Sequence, residues 1–106
     1  MNVLRTLYPH GFAFDYDYYF GKHLPLAERL MAEFRVSTVE LMRILQNQDG
    51  AAPPFGLVST VYFESEAELQ RARRSEQWHQ LVADIPNYYR GTPLVLVGEV
   101  LAPPGR

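Results

Sequence analysis

Hydrophobic residues recur along this chain with two different periods, and the change of period divides it into helices and strands. Apolar side chains at spacings of three or four between Tyr16 and Phe34 predict an amphipathic helix, with Asp15 as its N-cap and an end near Glu33. Runs rich in β-branched and aromatic residues, bounded by turn residues, indicate strands. The predicted strands cover residues 2–8, 36–46, 55–64 and 94–101.

A second helical region follows the third predicted strand. Ser65 and Glu68 have the spacing of a capping box, which predicts a helix start at Ser65. The polar stretch from residue 73 to 77 interrupts the apolar stripe, so we expect two short helices joined near Ser75. Pro86 should end the second one. Residues 87–93 are then predicted as a loop and residues 102–106 as a tail.

The predicted order is strand, helix, strand, strand, helix, strand, in one domain over residues 1–106. This is the α+β ferredoxin-like arrangement, in which a four-stranded antiparallel sheet carries both helices on one face. A sheet with one face in water should alternate apolar and polar residues, yet residues 94–97 are apolar on both sides. We therefore predict a two-fold homodimer in which two sheets close a barrel.

Composition and charge exclude several functions. The net charge is −2 and there is no basic stripe, which argues against nucleic acid as a partner. No apolar run is long enough for a membrane span, and the N-terminus does not resemble a secretion signal, so a cytoplasmic location is expected. The chain has no cysteine, and His10, His23 and His79 lack the spacing of a metal site. No metal is expected.

Most of the candidate catalytic side chains lie within residues 14–26. His23 falls on the apolar face of the first predicted helix, and Asp15, Tyr19 and His23 are four residues apart, so they should share one side of it. Pro25 cannot donate to the carbonyl of Gly21, which predicts a kink just after His23. We predict His23 as a general acid or base, with Asp15 or Tyr19 orienting it or steadying an enolate.

Further residues are predicted to line a small-molecule cleft. Tyr62 and Trp78 would form apolar walls, Asn87 and Tyr88 a rim, and Thr60 would face either the cleft or the dimer interface. Each has an ordinary structural alternative. The aromatic residues could simply pack in the core, Asn87 could bond its own backbone, and Asp15 could serve only as a cap. His23 itself could be a space-filling histidine.

Three sequence elements carry a family resemblance. They are Phe14-Asp15 with Asp17-Tyr18-Tyr19 and His23-Leu24-Pro25-Leu26, then Tyr62-Phe63-Glu64-Ser65, then Asp84-Ile85-Pro86-Asn87-Tyr88. In these the chain resembles the EthD-like members of the dimeric α+β barrel proteins. The resemblance implies a ferredoxin-like dimer with a cleft between the first helix and the sheet, and a ligand contact at His23. It also implies a link to the degradation of ether pollutants and a tentative label of oxidoreductase. Some relatives carry a histidine where this chain has Thr60.

Two hypotheses for function remain open at this point. The first is a cofactor-independent acid–base enzyme, of cyclase, isomerase or monooxygenase type or part of an oxidative degradation pathway, acting on a hydrophobic cyclic or aromatic carbonyl compound. The alternative is a non-catalytic dimer that binds a metabolite or assists an oxygenase. A less favoured third hypothesis is haem ligation by His23 or His79.

Overall fold

A computed structural model describes residues 1–102 of the chain, so residues 103–106 of the predicted tail lie outside it. The elements in chain order are β1 (Asn2–Pro9), α1 (Tyr16–Tyr18), a π turn (Tyr19–His23), α2 (Leu24–Met31), β2 (Val36–Arg43), β3 (Phe55–Phe63), α3 (Glu66–Arg73), α4 (Glu76–Asp84), a 3₁₀ turn (Ile85–Asn87) and β4 (Leu94–Glu99).

The four strands form one antiparallel sheet in the order β2-β3-β1-β4. The two central strands, β1 and β3, are the first and third in sequence. A hairpin joins β2 to β3, and helices connect β1 to β2 and β3 to β4. This topology confirms the ferredoxin-like α+β fold. None of the helices within residues 1–102 has the length and hydropathy of a membrane span.

Strand register decides which residues face the helices. Leu4 pairs with Val61, and Arg5 pairs with Thr60, so these two neighbouring pairs lie on opposite faces of the sheet. Leu4 packs in the core under the helices, whereas Arg5 donates from Nε to the Thr60 hydroxyl at 2.9 Å on the other face. We call that second face the outer face.

The core consists of two groups of buried side chains. The aliphatic cluster lies between the sheet and helices α2, α3 and α4, and the tyrosine cluster lies where the first helix meets the loop before β4. The aliphatic cluster comprises Leu4, Met31, Phe34, Phe63, Leu69, Ala72 and Leu81, and the tyrosine cluster comprises Tyr8, Tyr19, Leu57, Tyr88 and Tyr89.

Side-chain caps begin the helices where the sequence predicts. Asp15 accepts a hydrogen bond from the Tyr18 amide at 3.0 Å, which confirms it as an N-cap. Ser65 and Ser75 cap α3 and α4 in the same way, so the break near Ser75 is also confirmed. Only half of the capping box forms, because the Glu68 carboxylate binds the Arg35 amide and the Arg71 side chain instead.

The irregularity expected beside Pro25 takes the form of a π turn. The Leu24 amide donates to the Tyr19 carbonyl, five residues back, so one extra residue is held in the turn that ends at His23. Pro25 follows at the start of α2, where a missing amide costs little.

Two strands are shorter than predicted. β2 ends at Arg43 rather than residue 46, and β4 ends at Glu99 rather than residue 101. The last pair of β4 joins Glu99 to Asn2, where β1 begins, and one further backbone hydrogen bond runs from the Val100 amide to the Met1 carbonyl at 2.9 Å. The ladder with β1 therefore does not extend to residue 101. Periodicity alone does not reveal where a partner strand stops.

Leu69→Ala should lower the free energy of unfolding by about 2–5 kcal/mol, because Leu69 is fully buried in the aliphatic cluster and truncation leaves a cavity. Urea denaturation followed by circular dichroism measures this change. The control Leu45→Ala removes a side chain that is 81% exposed and should change stability by less than about 0.5 kcal/mol. Equal effects of the two substitutions would contradict the assigned core.

Candidate acid–base site

A cleft of about 480 Å³ lies between the sheet and helices α2 and α4, at the junction of the two core clusters. Its lining includes Met31, Phe34 and Leu81 from the aliphatic cluster and Tyr8, Tyr19 and Tyr88 from the tyrosine cluster. This volume is in the range of pockets that hold small organic molecules, roughly 300–1,000 Å³.

His23 lies in the wall of this cleft, at the end of the π turn. The side chain is largely buried, with 8% of the residue exposed. Its ring stacks on Tyr19, with 5.4 Å between ring centroids and 17° between planes, and its centroid lies 4.6 Å from that of Tyr88. The imidazole is thus held between two aromatic rings that also line the cleft.

Asp84 fixes the orientation of the imidazole. Nδ1 of His23 lies 2.9 Å from Oδ2 of Asp84, and because an ionised carboxylate can only accept, Nδ1 carries the hydrogen of the neutral ring. The lone pair is therefore on Nε2. That nitrogen lies 3.4 Å from the Tyr88 hydroxyl, at the long end of hydrogen-bond distance. Nε2 can accept a proton.

Two further side chains hold Asp84 in place. The Tyr18 hydroxyl donates to Oδ1 at 2.7 Å, and the Asn87 amide donates to the same oxygen at 2.9 Å. Burial raises the pKa of Asp84, but the hydrogen bonds from Asn87, His23 and Tyr18 together outweigh it and leave the pKa below its usual value. The carboxylate is therefore ionised at neutral pH.

Burial lowers the pKa of His23 below its usual 6.5, because desolvation of the charged ring outweighs the opposing effect of Asp84. The ring is therefore neutral near pH 7. A neutral imidazole with an oriented lone pair is the form in which histidine acts as a general base.

The tyrosines beside His23 keep their protons. The hydroxyls of Tyr8 and Tyr88 are 2.7 Å apart, and burial raises the pKa of each. Burial also raises the pKa of Tyr19 to about 12. The site thus offers neutral hydroxyl groups, which can donate to an oxygen of a bound molecule.

Backbone contacts hold the two halves of the site together. The Asp15 amide donates to the Tyr88 carbonyl at 2.7 Å, and the Arg90 amide donates to the Ala13 carbonyl at 3.1 Å. Phe14 and Tyr89 form an isolated antiparallel bridge between these bonds. The chain before the first helix is therefore joined to the loop that carries Tyr88.

The structure brings some of the predicted site residues to the cleft and leaves others away from it. His23, Tyr19, Trp78 and Tyr88 line the cleft, and Asn87 lies behind it, bound to Asp84. Whether they act in binding or catalysis stays a prediction.

Two of the predicted positions, Asp15 and Tyr62, need correction, and Thr60, for which the sequence left two orientations open, lies away from the cleft. Asp15 is exposed and caps the helix, so it does not orient His23. A spacing of four puts groups on one side of a helix, but a cap residue lies outside the helix and its carboxylate turns back to the first amides. Thr60 and Tyr62 lie on the outer face, because an even-numbered position of β3 points away from the helices.

Sequence analysis missed Asp84, Tyr8 and Tyr18 as members of the site. One signal was available for Asp84. A carboxylate in the last turn of a helix, directly before Ile85-Pro86, is unfavourable for the helix dipole and so indicates another use. Tyr8 and Tyr18 give no such signal, because their positions depend on the packing of β1 and α1 against the loop that follows the 3₁₀ turn.

Lowering the pH from 7 to 5 should destabilise the protein through His23. The folded state holds this ring neutral while the unfolded chain takes up a proton below pH 6.5, so stability falls as pH drops below 6.5, until the folded pKa is reached. The slope contributed by one such group is at most about 1.4 kcal/mol per pH unit. Denaturation midpoints measured at fixed protein concentration across this range should show the slope.

His23→Gln should flatten that slope, because the replacement does not titrate. His79→Gln is the matched control, since His79 is exposed on α4 and outside the cleft lining, and the slope should persist in it. A slope that survives His23→Gln would assign the pH dependence to another group.

Comparisons with known proteins agree with this architecture. Residues 11–92 match the EthD domain model. An uncharacterised 11.0 kDa protein from the thcB-thcC intergenic region of Rhodococcus erythropolis is 30% identical over 79 residues, which are 74% of this chain and 72% of that protein. The crystal structure of an EthD-like protein from Ralstonia eutropha superposes with a TM-score of 0.83 at 21% identity, covering 98% of this chain and 95% of the other.

A more distant structural neighbour is SnoaB, a cofactor-independent oxygenase from Streptomyces nogalater. It superposes with a TM-score of 0.65 at 10% identity, over 99% of this chain and 96% of the other, a likeness that shows the fold alone. The family match spans most of the described residues. The chain belongs to the EthD family.

Proposed function

We propose that this protein is a cofactor-independent acid–base enzyme that binds a hydrophobic cyclic or aromatic carbonyl compound in the cleft and transfers a proton through His23. The observation that carries the proposal is the His23–Asp84 pair, which leaves the lone pair on Nε2 in the wall of a mostly apolar cleft, with only a long 3.4 Å contact to the Tyr88 hydroxyl. A space-filling histidine would need neither a partly buried carboxylate partner nor a neighbouring cleft.

The proposed reaction begins with removal of a proton from the carbon next to the carbonyl group. Nε2 of His23 takes the proton, and the electron pair of the C–H bond is delocalised onto the carbonyl oxygen, which gives the enolate. Asp84 stabilises the imidazolium that forms, while the hydroxyl of Tyr19 or Tyr88 donates to the enolate oxygen. Return of the proton at another carbon gives an isomer, and attack of the enolate carbon on a second carbonyl gives a ring.

The same enolate can also react with molecular oxygen, which would be the co-substrate of a monooxygenase. This possibility is consistent with the fold shared with SnoaB, which is described as a cofactor-independent oxygenase. All three outcomes share the first proton transfer, so a single assay of that step tests the proposal.

His23→Ala should slow the exchange of carbon-bound hydrogen by about 10²-fold or more, because it removes the base. The measurement is ¹H NMR of 2-tetralone and anthrone in D₂O with the purified protein, after subtraction of the exchange seen without protein. Asp84→Asn should also slow exchange, since an amide can stabilise the wrong ring tautomer and cannot balance the imidazolium charge. His79→Ala should leave the rate unchanged.

Binding has to be followed in the same variants to separate catalysis from simple capture. Trp78 is the single tryptophan of the chain and lines the cleft, so its fluorescence reports occupation. An enzyme should keep its affinity within a few-fold in His23→Ala. Compounds that change the fluorescence without any protein-dependent exchange would instead identify a non-catalytic binding protein.

We further propose that the protein works as a homodimer that pairs through the outer face. Met42, Leu94 and Leu96 lie on that face with about half of each side chain exposed, and they belong to β2 and β4 at the two edges of the sheet. The outer face is polar at Arg5 and Thr60 on its central strands, and exposed apolar patches such as those on its edge strands are typical of an interface. A second copy of this chain can cover the face with the same surface, as in most two-fold symmetric homodimers.

Leu96→Lys should shift the protein from about twice 12.2 kDa toward a single chain in light scattering, because it puts a charge in the proposed interface. Val97→Lys is a matched control. The two residues are adjacent and equally exposed, at 49% and 47%, but Val97 points to the helix side of the sheet. Wild-type protein that runs as a 12.2 kDa monomer would contradict the dimer.

A further inference from the structure

The side chains that line the cleft carry no positive charge near neutral pH. No lysine or arginine is among the described residues that line it, and Glu28 is its single acidic lining residue. Asp84 adds a second negative charge directly behind His23, whose ring is neutral. The guanidinium of Arg71 lies 4.5 Å from the centroid of the Phe34 ring, but Arg71 is not part of the lining. A bound anion would therefore meet no cation on the cleft wall.

Hydrogen-bonding groups are concentrated at one end of the cleft. His23, Tyr8, Tyr19 and Tyr88 surround that end, and the paired residues Thr6 and Ser59 continue it along the floor formed by β1 and β3. These hydroxyl groups are neutral donors that suit a carbonyl or phenolic oxygen.

The other end of the cleft has apolar walls. They come from the aliphatic cluster and from residues packed against it, namely Met31, Phe34, Val61, Trp78 and Leu81. A ligand that matches both ends has its oxygen atoms on one side and a hydrocarbon body on the other.

We propose that the cleft selects uncharged ring compounds, such as esters, ketones and phenols, and rejects the corresponding carboxylates and phosphates. This inference deepens the proposed function and rests on it for the choice of a carbonyl ligand. The physical reason is desolvation: an anion that enters the cleft gives up its hydration and finds no positive partner, which costs far more than the loss of one hydrogen bond.

Glu28 adds to this selectivity at the opening of the cleft. It is exposed, and so are the lining residues Ala32, Val39, Val82 and Val95, which marks where the cleft reaches solvent. An anion approaching through this opening is repelled by the carboxylate, although water screens the effect. Glu28 is therefore a residue that contributes to ligand choice without touching the reacting atoms.

The test compares two ligands with the same ring, one with an ionised carboxylate and one with its neutral methyl ester. Methyl tetralin-2-carboxylate and tetralin-2-carboxylate have the same ring system and absorb little at the wavelengths that excite tryptophan, so Trp78 fluorescence can follow both at pH 7.5. The ester should bind, and the acid should bind at least about 100-fold more weakly. 2-Tetralone, a neutral ketone, should behave like the ester.

Glu28→Gln should strengthen binding of the acid by about two- to five-fold and leave the ester unchanged, since an exposed charge acts weakly. Glu28→Lys should strengthen it further. Glu66→Gln is the matched control, because it makes the same change in net charge at an exposed position on α3 outside the cleft lining. A gain for the acid in Glu66→Gln as well would overturn the specific role of Glu28.

Equal affinities for ester and acid, or tighter binding of the acid, would overturn the inference while leaving the acid–base proposal intact. Failure of both the ester and 2-tetralone to bind would also overturn it. The opposite outcome also separates the two proposals. Selective binding of the neutral ligands combined with no His23-dependent hydrogen exchange would support the inference and reject catalysis.

Discussion

The hydrogen bond between His23 and Asp84 connects two segments that are 61 residues apart in sequence, and the organisation of the site follows from it. Each partner is the last residue of a helical segment that changes its hydrogen-bond pattern. His23 ends the π turn, and Asp84 ends α4 just before the 3₁₀ turn. The long-range contact therefore joins two points at which the backbone leaves α-helical geometry.

The surrounding aromatic rings make this contact stable in the neutral state. Tyr19 and Tyr88 enclose the imidazole and exclude water, which disfavours a charge on the ring. Asp84 favours the charged ring, but its lone pairs are already shared with Tyr18 and Asn87. The result is an imidazole that is uncharged near pH 7 and lies beside a carboxylate that would stabilise a positive charge on it. Such opposing influences on one group are frequent at catalytic sites.

Local sequence patterns predicted most of the fold because the relevant forces act over a few residues. Caps at Asp15, Ser65 and Ser75, and the strand and helix order, were all accessible in this way. The ends of the strands could not be predicted in this way, because the length of β4 depends on where β1 begins. Only part of the candidate site could be predicted from the sequence. His23 could be found from its helix face, but its carboxylate partner comes from α4, and spacing within one helix pointed instead to Asp15, whose side chain serves the backbone.

The backbone bonds from Asp15 to Tyr88 and from Arg90 to Ala13 have a consequence for how a molecule could reach the imidazole. These bonds join the segment before the first helix to the loop that carries Tyr88, and so they close the cleft on this side. A molecule can enter on the opposite side, where the lining residues Ala32, Val39, Val82 and Val95 are exposed. A molecule that entered there with its oxygen atoms toward His23 would leave its hydrocarbon body nearer the opening. Bulky substituents next to the oxygen atoms would then keep it away from the imidazole.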